Sequence, residues 1–166
     1  AGKYLITGIR LRLRRTFTPN LAYKGLAEEL ASMGIETPSA QQVSEAVIRI
    51  RQRKLPDPKI VGNAGSFFKN PVVSRETADV LVQKHEGMPV YQAEEETKLS
   101  AAWMIEQCGW KGRSVGDAAV SEQHALVLIN KGNATGSEIL TLAEAIKDSV
   151  QNRFGIELQP EPLIIR

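Results

Sequence analysis

In the run Gly62-Asn63-Ala64-Gly65-Ser66-Phe67-Phe68-Lys69-Asn70-Pro71, a single hydroxyl follows a glycine, and a carboxamide stands four residues on. A serine hydroxyl is a weak acid. It gives up a proton only to a strong base, such as a carbanion or enolate formed opposite it. Glycines beside it let the backbone pass close to a ligand. From spacing alone, the plainer account is a turn serine bonded to its own backbone. The single cysteine, Cys108, cannot form an internal disulfide, and its neighbours show no metal-ligand spacing. It is expected to be a small buried apolar residue, and no metal site is expected.

Charge narrows the ligand class. Residues 1–60 carry 11 Lys/Arg and 5 Asp/Glu, whereas residues 61–166 carry 10 and 14, so a net charge of +2 hides a basic first third. A basic segment suits nucleic acid or any phosphate-bearing ligand. With four Phe and three Tyr, and no helix-turn-helix, zinc or RNA-stacking signature, a small phosphorylated ligand is the better expectation. At 42% hydrophobic and 24% charged residues the composition is globular, and no apolar run reaches the roughly 18 residues of a membrane span. No membrane association is expected, and a reducing cytoplasm suits the lone thiol.

The elements that must position these groups read as α+β. Lys3–Arg15 alternates, with Ile9, Leu11 and Leu13 against Arg10, Arg12 and Arg14, and predicts a half-buried strand. It begins with no preceding turn, which points to a longer parent protein. Tyr23–Met33 predicts a short helix stopped by Gly34. Ser39 caps a second, with Val43, Ala46, Val47 and Ile50 at helical spacing. Leu55-Pro56-Asp57-Pro58 ends it. Residues 62–71 read as a turn and a short extended piece. Further helices are expected at Ser74–His85, Leu99–Gln107 and from Thr135 to Gly155, and strands at Val115–Val120 and Ala125–Asn130. Gly87–Thr97, holding Tyr91, reads as a loop. His85 reads as helix surface, and Trp103 and Trp110 as packing residues. Ile156–Arg166 is strand-like, but Pro160 and Pro162 place it at an edge or in a loop.

Several of these segments, taken in order, resemble one family. Lys54-Leu55-Pro56-Asp57-Pro58-Lys59 with the Gly62–Pro71 run is similar to the signature of UDP-N-acetylmuramate dehydrogenase, also called UDP-N-acetylenolpyruvoylglucosamine reductase. Leu21-Ala22-Tyr23, the segment around Tyr91, Ala118-Ala119-Val120 before Ala125–Asn130, and Leu158-Gln159-Pro160-Glu161-Pro162 fit in the same order. The resemblance covers essentially the whole chain, and the glycine–asparagine run is its specific part. It implies an FAD-dependent, NADPH-driven oxidoreductase of peptidoglycan precursor synthesis. Its substrate would be UDP-N-acetylglucosamine enolpyruvate, reduced to UDP-N-acetylmuramate. This chain would be the C-terminal portion, without most of the flavin site.

The resemblance also assigns residues. Ser66 would protonate C2 of the enolpyruvyl group after hydride reaches C3 from reduced flavin. Glu161 would stand near the substrate carboxylate and C2. Tyr23, Lys54, Asn70, Tyr91 and His124 would hold the UDP portion, with His124 in place of a family glutamine. Arg51 would lie near the flavin–substrate junction. Residues 1–55 would end the flavin-binding domain, 56–155 would form the substrate-binding domain, and 156–166 would return toward the flavin part. The competing reading is a non-catalytic module for a nucleotide sugar or other polyphosphate, which the fragment alone would resemble in practice.

Overall fold

The computed structural model describes residues 7–23, 25–93 and 96–164. They fall into two compact units, residues 1–51 and 52–166. None of the helices is long and apolar enough to cross a membrane, among the described residues.

The first unit is built on two helices. Helix α1 (Leu26–Ser32) starts after Gly25 at φ 84°, later than the apolar pattern suggests. Helix α2 (Ala40–Lys54) starts at Ser39, whose Oγ accepts from Gln42 N–H at 3.3 Å while Gln42 Oε1 accepts from Ser39 N–H at 2.8 Å. This reciprocal cap satisfies two donors that a helix start leaves open. Leu26 and Leu30 pack on Ala46 and Ile50, flanked by Met33, Ile35, Val43 and Val47. The expected first strand is not observed. Residues 7–14 are irregular, and Ile9, Leu11 and Leu13 are 81%, 74% and 81% exposed; the part over Lys3–Ile6 lies outside the described residues. Alternation supplies a face, but a strand also needs a hydrogen-bonding neighbour, and among the described residues none pairs with this segment.

The second unit carries two antiparallel sheets. The larger has strand order β1 (Gly62–Ser66), β7 (Val127–Asn130), β6 (Ala118–Val120), β5 (Ser114–Val115). The smaller has β2 (Val72–Val73), β4 (Glu96–Leu99), β3 (Val90–Ala93). Helices α3 (Arg75–Lys84), α4 (Ala101–Gln107) and α5 (Gly136–Phe154) complete it. Because side chains alternate between faces and both faces are buried here, β6 and the Val127–Ile129 part of β7 are apolar at successive positions. Ala118, Val120 and Leu128 join the main core with Leu142, Ile146 and Val150 of α5, while Ala119, Val127 and Ile129 form a second cluster with Leu55 and Val61. The chain is α+β, as its element order suggests.

Three expectations need correction here. Val115–Val120 is not one strand: Gly116, at φ 59°, turns the chain with Asp117, and Val115 faces Ala118 across a hairpin. Gly87–Thr97 is not a loop: β3 and β4 pair there, with Val90 opposite Leu99 and Tyr91 opposite Lys98. In the sequence, the acidic run of residues 94–96 hides an alternation whose β4 half buries Thr97 and Leu99. Among the described residues, 156–164 form no regular strand but the loop that the prolines also allow, with an isolated bridge from Pro160 to Phe68.

Helix α5 has both ends closed. Thr135 Oγ1 accepts from Glu138 N–H, and Glu138 accepts from Thr135 N–H at 2.7 Å. That backbone hydrogen bond holds the Glu138 carboxyl below its ordinary value. Its stabilising effect is therefore present above the unfolded pKa and is lost as pH falls through the folded one. At the other end Gly155 adopts φ 69°, with open space where a Cβ would stand. Gly155→Ala should therefore lower stability by about 1 kcal/mol through backbone strain alone. Equilibrium denaturation with an unchanged m-value would show it, and an unchanged midpoint would contradict it.

Candidate functional site

Ser66 ends β1, half-buried, directly after a distortion of the strand. Asn63 stands opposite Ile129 and Ser66 opposite Val127, so three steps on β1 meet two on β7. Gly65 absorbs the extra residue at φ 74°. This is a β-bulge, a device that re-aims a side chain. Asn63 holds it in shape: its Oδ1 accepts from Gly65 N–H at 3.0 Å, and its Nδ2 donates to Val61 O at 2.9 Å and Pro56 O at 3.3 Å. The sequence reading gave Asn63 no role of its own. The Asn-x-Gly spacing was the available signal, because asparagine commonly bonds the backbone two residues on. The stretch read as a turn is thus a bulged strand.

After Ser66 the chain is held on two sides. Phe67 N–H donates to Leu126 O at 2.7 Å, and Phe67 O accepts from Glu161 N–H at 2.8 Å. Lys69 N–H donates to Gln159 O at 2.9 Å, around the Phe68–Pro160 bridge. Phe68 and Leu158, at 1% and 0% exposure, anchor the two segments in the core. This lacing brings the backbone of Glu161 alongside Phe67, next to Ser66, although they lie far apart in sequence. The Glu161 residue itself is exposed.

Asn70 follows on the same extended stretch. Its Oδ1 accepts from Ala101 N–H at 3.0 Å, at the start of α4. That bond assigns the amide orientation, with Nδ2 as the donor end of the group. Asn70 lines a cavity of about 250 Å³ with Lys69, Pro71, Val72, Glu157 and Gln159.

His124 lies in the turn between β6 and β7, half-buried. Its Nδ1 accepts from Leu126 N–H at 3.2 Å. Burial lowers its pKa from 6.5, and the charges of Lys54 and then Lys111 lower it further, against a smaller opposing effect of Glu106. Its imidazole is therefore neutral at pH 7, and both lysines stand within electrostatic reach of it. Lys111, paired with Glu106 at 3.0 Å, had no place in the sequence reading; the signal was a cation in the Lys-Gly turn after α4.

Tyr91 is 52% exposed on β3. Tyr23, 46% exposed, and Arg51, exposed on α2, belong to the first unit. Two residues outside the site differ from expectation. His85 caps α3 and packs its ring on Phe154, with centroids 4.7 Å apart, rather than lying on an open helix surface. Cys108 is half-buried, its Sγ donates to Ser149 O at 3.5 Å, and burial pushes the thiol up.

A dinucleotide cofactor binds its diphosphate most readily at an open helix N-terminus. In the second unit the starts of α3, α4 and α5 carry side-chain caps, from Ser74, Ser100 and Thr135 with Glu138, each of which takes up part of the N–H groups a helix start leaves open.

A family model for the C-terminal domain of UDP-N-acetylenolpyruvoylglucosamine reductase matches residues 57–165. The chain belongs to that family. A reductase of this name from Xylella fastidiosa strain M12 is 53% identical over 98% of this chain and 47% of its own length. Another, from Xanthomonas oryzae pv. oryzae strain KACC10331 / KXO85, is 53% identical over 98% of the chain and 48% of its own. The chain thus spans about half the length of these curated relatives. A solved UDP-N-acetylenolpyruvylglucosamine reductase from Thermus caldophilus is 27% identical, covering 73% of this chain and 33% of that one, with a TM-score of 0.43.

Proposed function

We propose that this chain is the substrate-binding portion of a UDP-N-acetylenolpyruvoylglucosamine reductase, and that the whole enzyme acts on UDP-N-acetylglucosamine enolpyruvate. The observation that carries this reading is the lacing of residues 67–69 to 159–161, which gathers Ser66, Asn70 and the Glu161 segment in a chain matched to the family over residues 57–165. Hydride adds to C3 of the enolpyruvyl double bond and a proton to C2. The Ser66 hydroxyl supplies that proton to the carbanionic or enolic C2, and the resulting alkoxide regains one from solvent. Glu161, near the substrate carboxylate and C2, would in its protonated form stabilise the enolic intermediate or manage its proton. Lys54 offers a point charge to the diphosphate, Asn70 and His124 offer single donors, and Tyr91 and Tyr23 offer ring faces with a hydroxyl at the tip.

The hydride source of the whole enzyme is FAD reduced by NADPH, held largely by the part of the protein outside this sequence, with Arg51 at its margin. In this reading residues 1–55 end the flavin-binding domain, 56–155 bind substrate, and 156–166 return toward the flavin part. The enzyme serves peptidoglycan precursor synthesis, and hence cell shape and division, in the cytoplasm. The chain alone binds the nucleotide sugar weakly and does not turn it over.

Asn70 separates binding from folding. Asn70→Asp keeps an oxygen for Ala101 N–H at the start of α4, where a negative charge is also favourable. It removes the amide donor and sets a charge against the diphosphate. We expect a melting temperature close to wild type and affinity for UDP-N-acetylglucosamine reduced at least about tenfold, the loss of one hydrogen bond to a charged group. Scanning fluorimetry with titration calorimetry would check both. Unchanged affinity would remove Asn70 from the site.

A further inference from the structure

The turn that carries His124 fixes more than its position. Leu126 N–H donates to Nδ1 at 3.2 Å, so Nδ1 must be the unprotonated nitrogen and Nε2 carries the hydrogen. The turn is further closed by Val127 N–H donating to His124 O at 3.0 Å and Gln123 N–H to Ser121 Oγ at 3.2 Å. The charged groups that act on the ring come from two segments, the end of α2 and the α4 region. Lys54 stands at the end of α2, Lys111 follows α4, and Glu106 on α4 is paired with Lys111 at 3.0 Å. On the same turn Glu122 packs toward Gly112, where a Cβ would lie 3.2 Å from its Cγ.

We propose that Leu126 locks His124 as its Nε2–H tautomer, so that the ring gives one uncharged donor to a diphosphate held beside Lys54 and Lys111, and binding of a diphosphate diester is uncoupled from pH in the neutral range. The inference rests on the nucleotide-sugar reading above. A histidine beside phosphate ordinarily binds more tightly as pH falls, because the imidazolium adds a charge. Here protonation of Nδ1 sets one N–H against another and leaves the half-buried Leu126 N–H without its acceptor, a cost of the same order as the charge-assisted bond gained. The neighbouring ammonium groups oppose the same step. His124 thus does the work of a carboxamide N–H.

Two measurements test this, and their failures can be told apart. Long-range proton–nitrogen correlation spectra of the 166-residue chain should show the Nε2–H pattern for His124 and a titration below 6.5. An Nδ1–H pattern, or titration above that value, overturns the tautomer lock and leaves the proposed function standing. Calorimetry with UDP-N-acetylglucosamine should then give affinities within about twofold between about pH 6.5 and about pH 8.5, since no group of the proposed contact changes charge there. A tenfold strengthening toward the acid end overturns the proposal. His124→Gln should bind within about threefold of wild type, and His124→Ala should lose about tenfold, one hydrogen bond to a charged acceptor. Equal binding by His124→Ala shows that the ring does not touch the ligand. No binding by wild type overturns the ligand assignment and the function together.

Discussion

Replacing Ser66 with alanine in the intact enzyme that contains this sequence is expected to lower turnover about 10²- to 10⁴-fold, while reduction of the enzyme by NADPH proceeds at the wild-type rate. The substitution removes one oxygen from a half-buried site at the end of β1. The bulge before it is held by Asn63 and Gly65, not by the serine, so the fold should survive. On the proposed function, what is lost is the proton for C2, and water at the same place would deliver it less well positioned. Stopped-flow absorbance would resolve the two half-reactions. If the whole enzyme is the proposed flavoprotein, its flavin signal should bleach normally with NADPH and then recover only slowly on adding substrate. Unimpaired recovery would mean that Ser66 is not the acid.

The second large effect concerns the core that holds this geometry. Phe68→Ala should cost about 3–5 kcal/mol, the usual range for a buried aromatic truncated to alanine. Phe68 is 1% exposed, sits edge-on to Phe67 with centroids 5.1 Å apart, and bridges Pro160. The loss is a large fraction of the roughly 5–15 kcal/mol that stabilises an ordinary domain. It should also loosen the segment bearing Glu161, because residues 67–69 hold residues 159–161 by two backbone hydrogen bonds. Denaturant unfolding would give the stability loss, and limited proteolysis should cut after residue 155 sooner than in wild type. A loss under about 1 kcal/mol would show that the core does not depend on this ring.

Legibility in the sequence followed the range of the forces involved. Helix α5 was readable end to end, since its cap pair Thr135–Glu138, its apolar stripe and Gly155 are all local signals. The same holds for α3, with Ser74 as its cap, and for the second helix, with Ser39. The β3–β4 hairpin is hard to read because an acidic run interrupts the sequence there and the apolar alternation is short. Residues 9–13 show the opposite failure: a clear alternation without a pairing strand among the described residues. At the site, residue types pointed to Ser66 and Asn70, and the family resemblance supplied their roles. The clamp of residues 67–69 against 159–161 and the approach of Lys111 to His124 are long-range, and no local pattern encodes them.

The central claim is that this chain by itself contains a nucleotide-sugar site assembled around β1 and the turn before β7. Hydrogen–deuterium exchange with mass spectrometry on the 166-residue chain, with and without saturating UDP-N-acetylglucosamine, tests it most directly. Slowed exchange is expected in peptides covering residues 62–71 and 121–126, with little change in α3 or in the middle of α5. Slowed exchange confined to α3 and α5, or none at any ligand concentration, would contradict it.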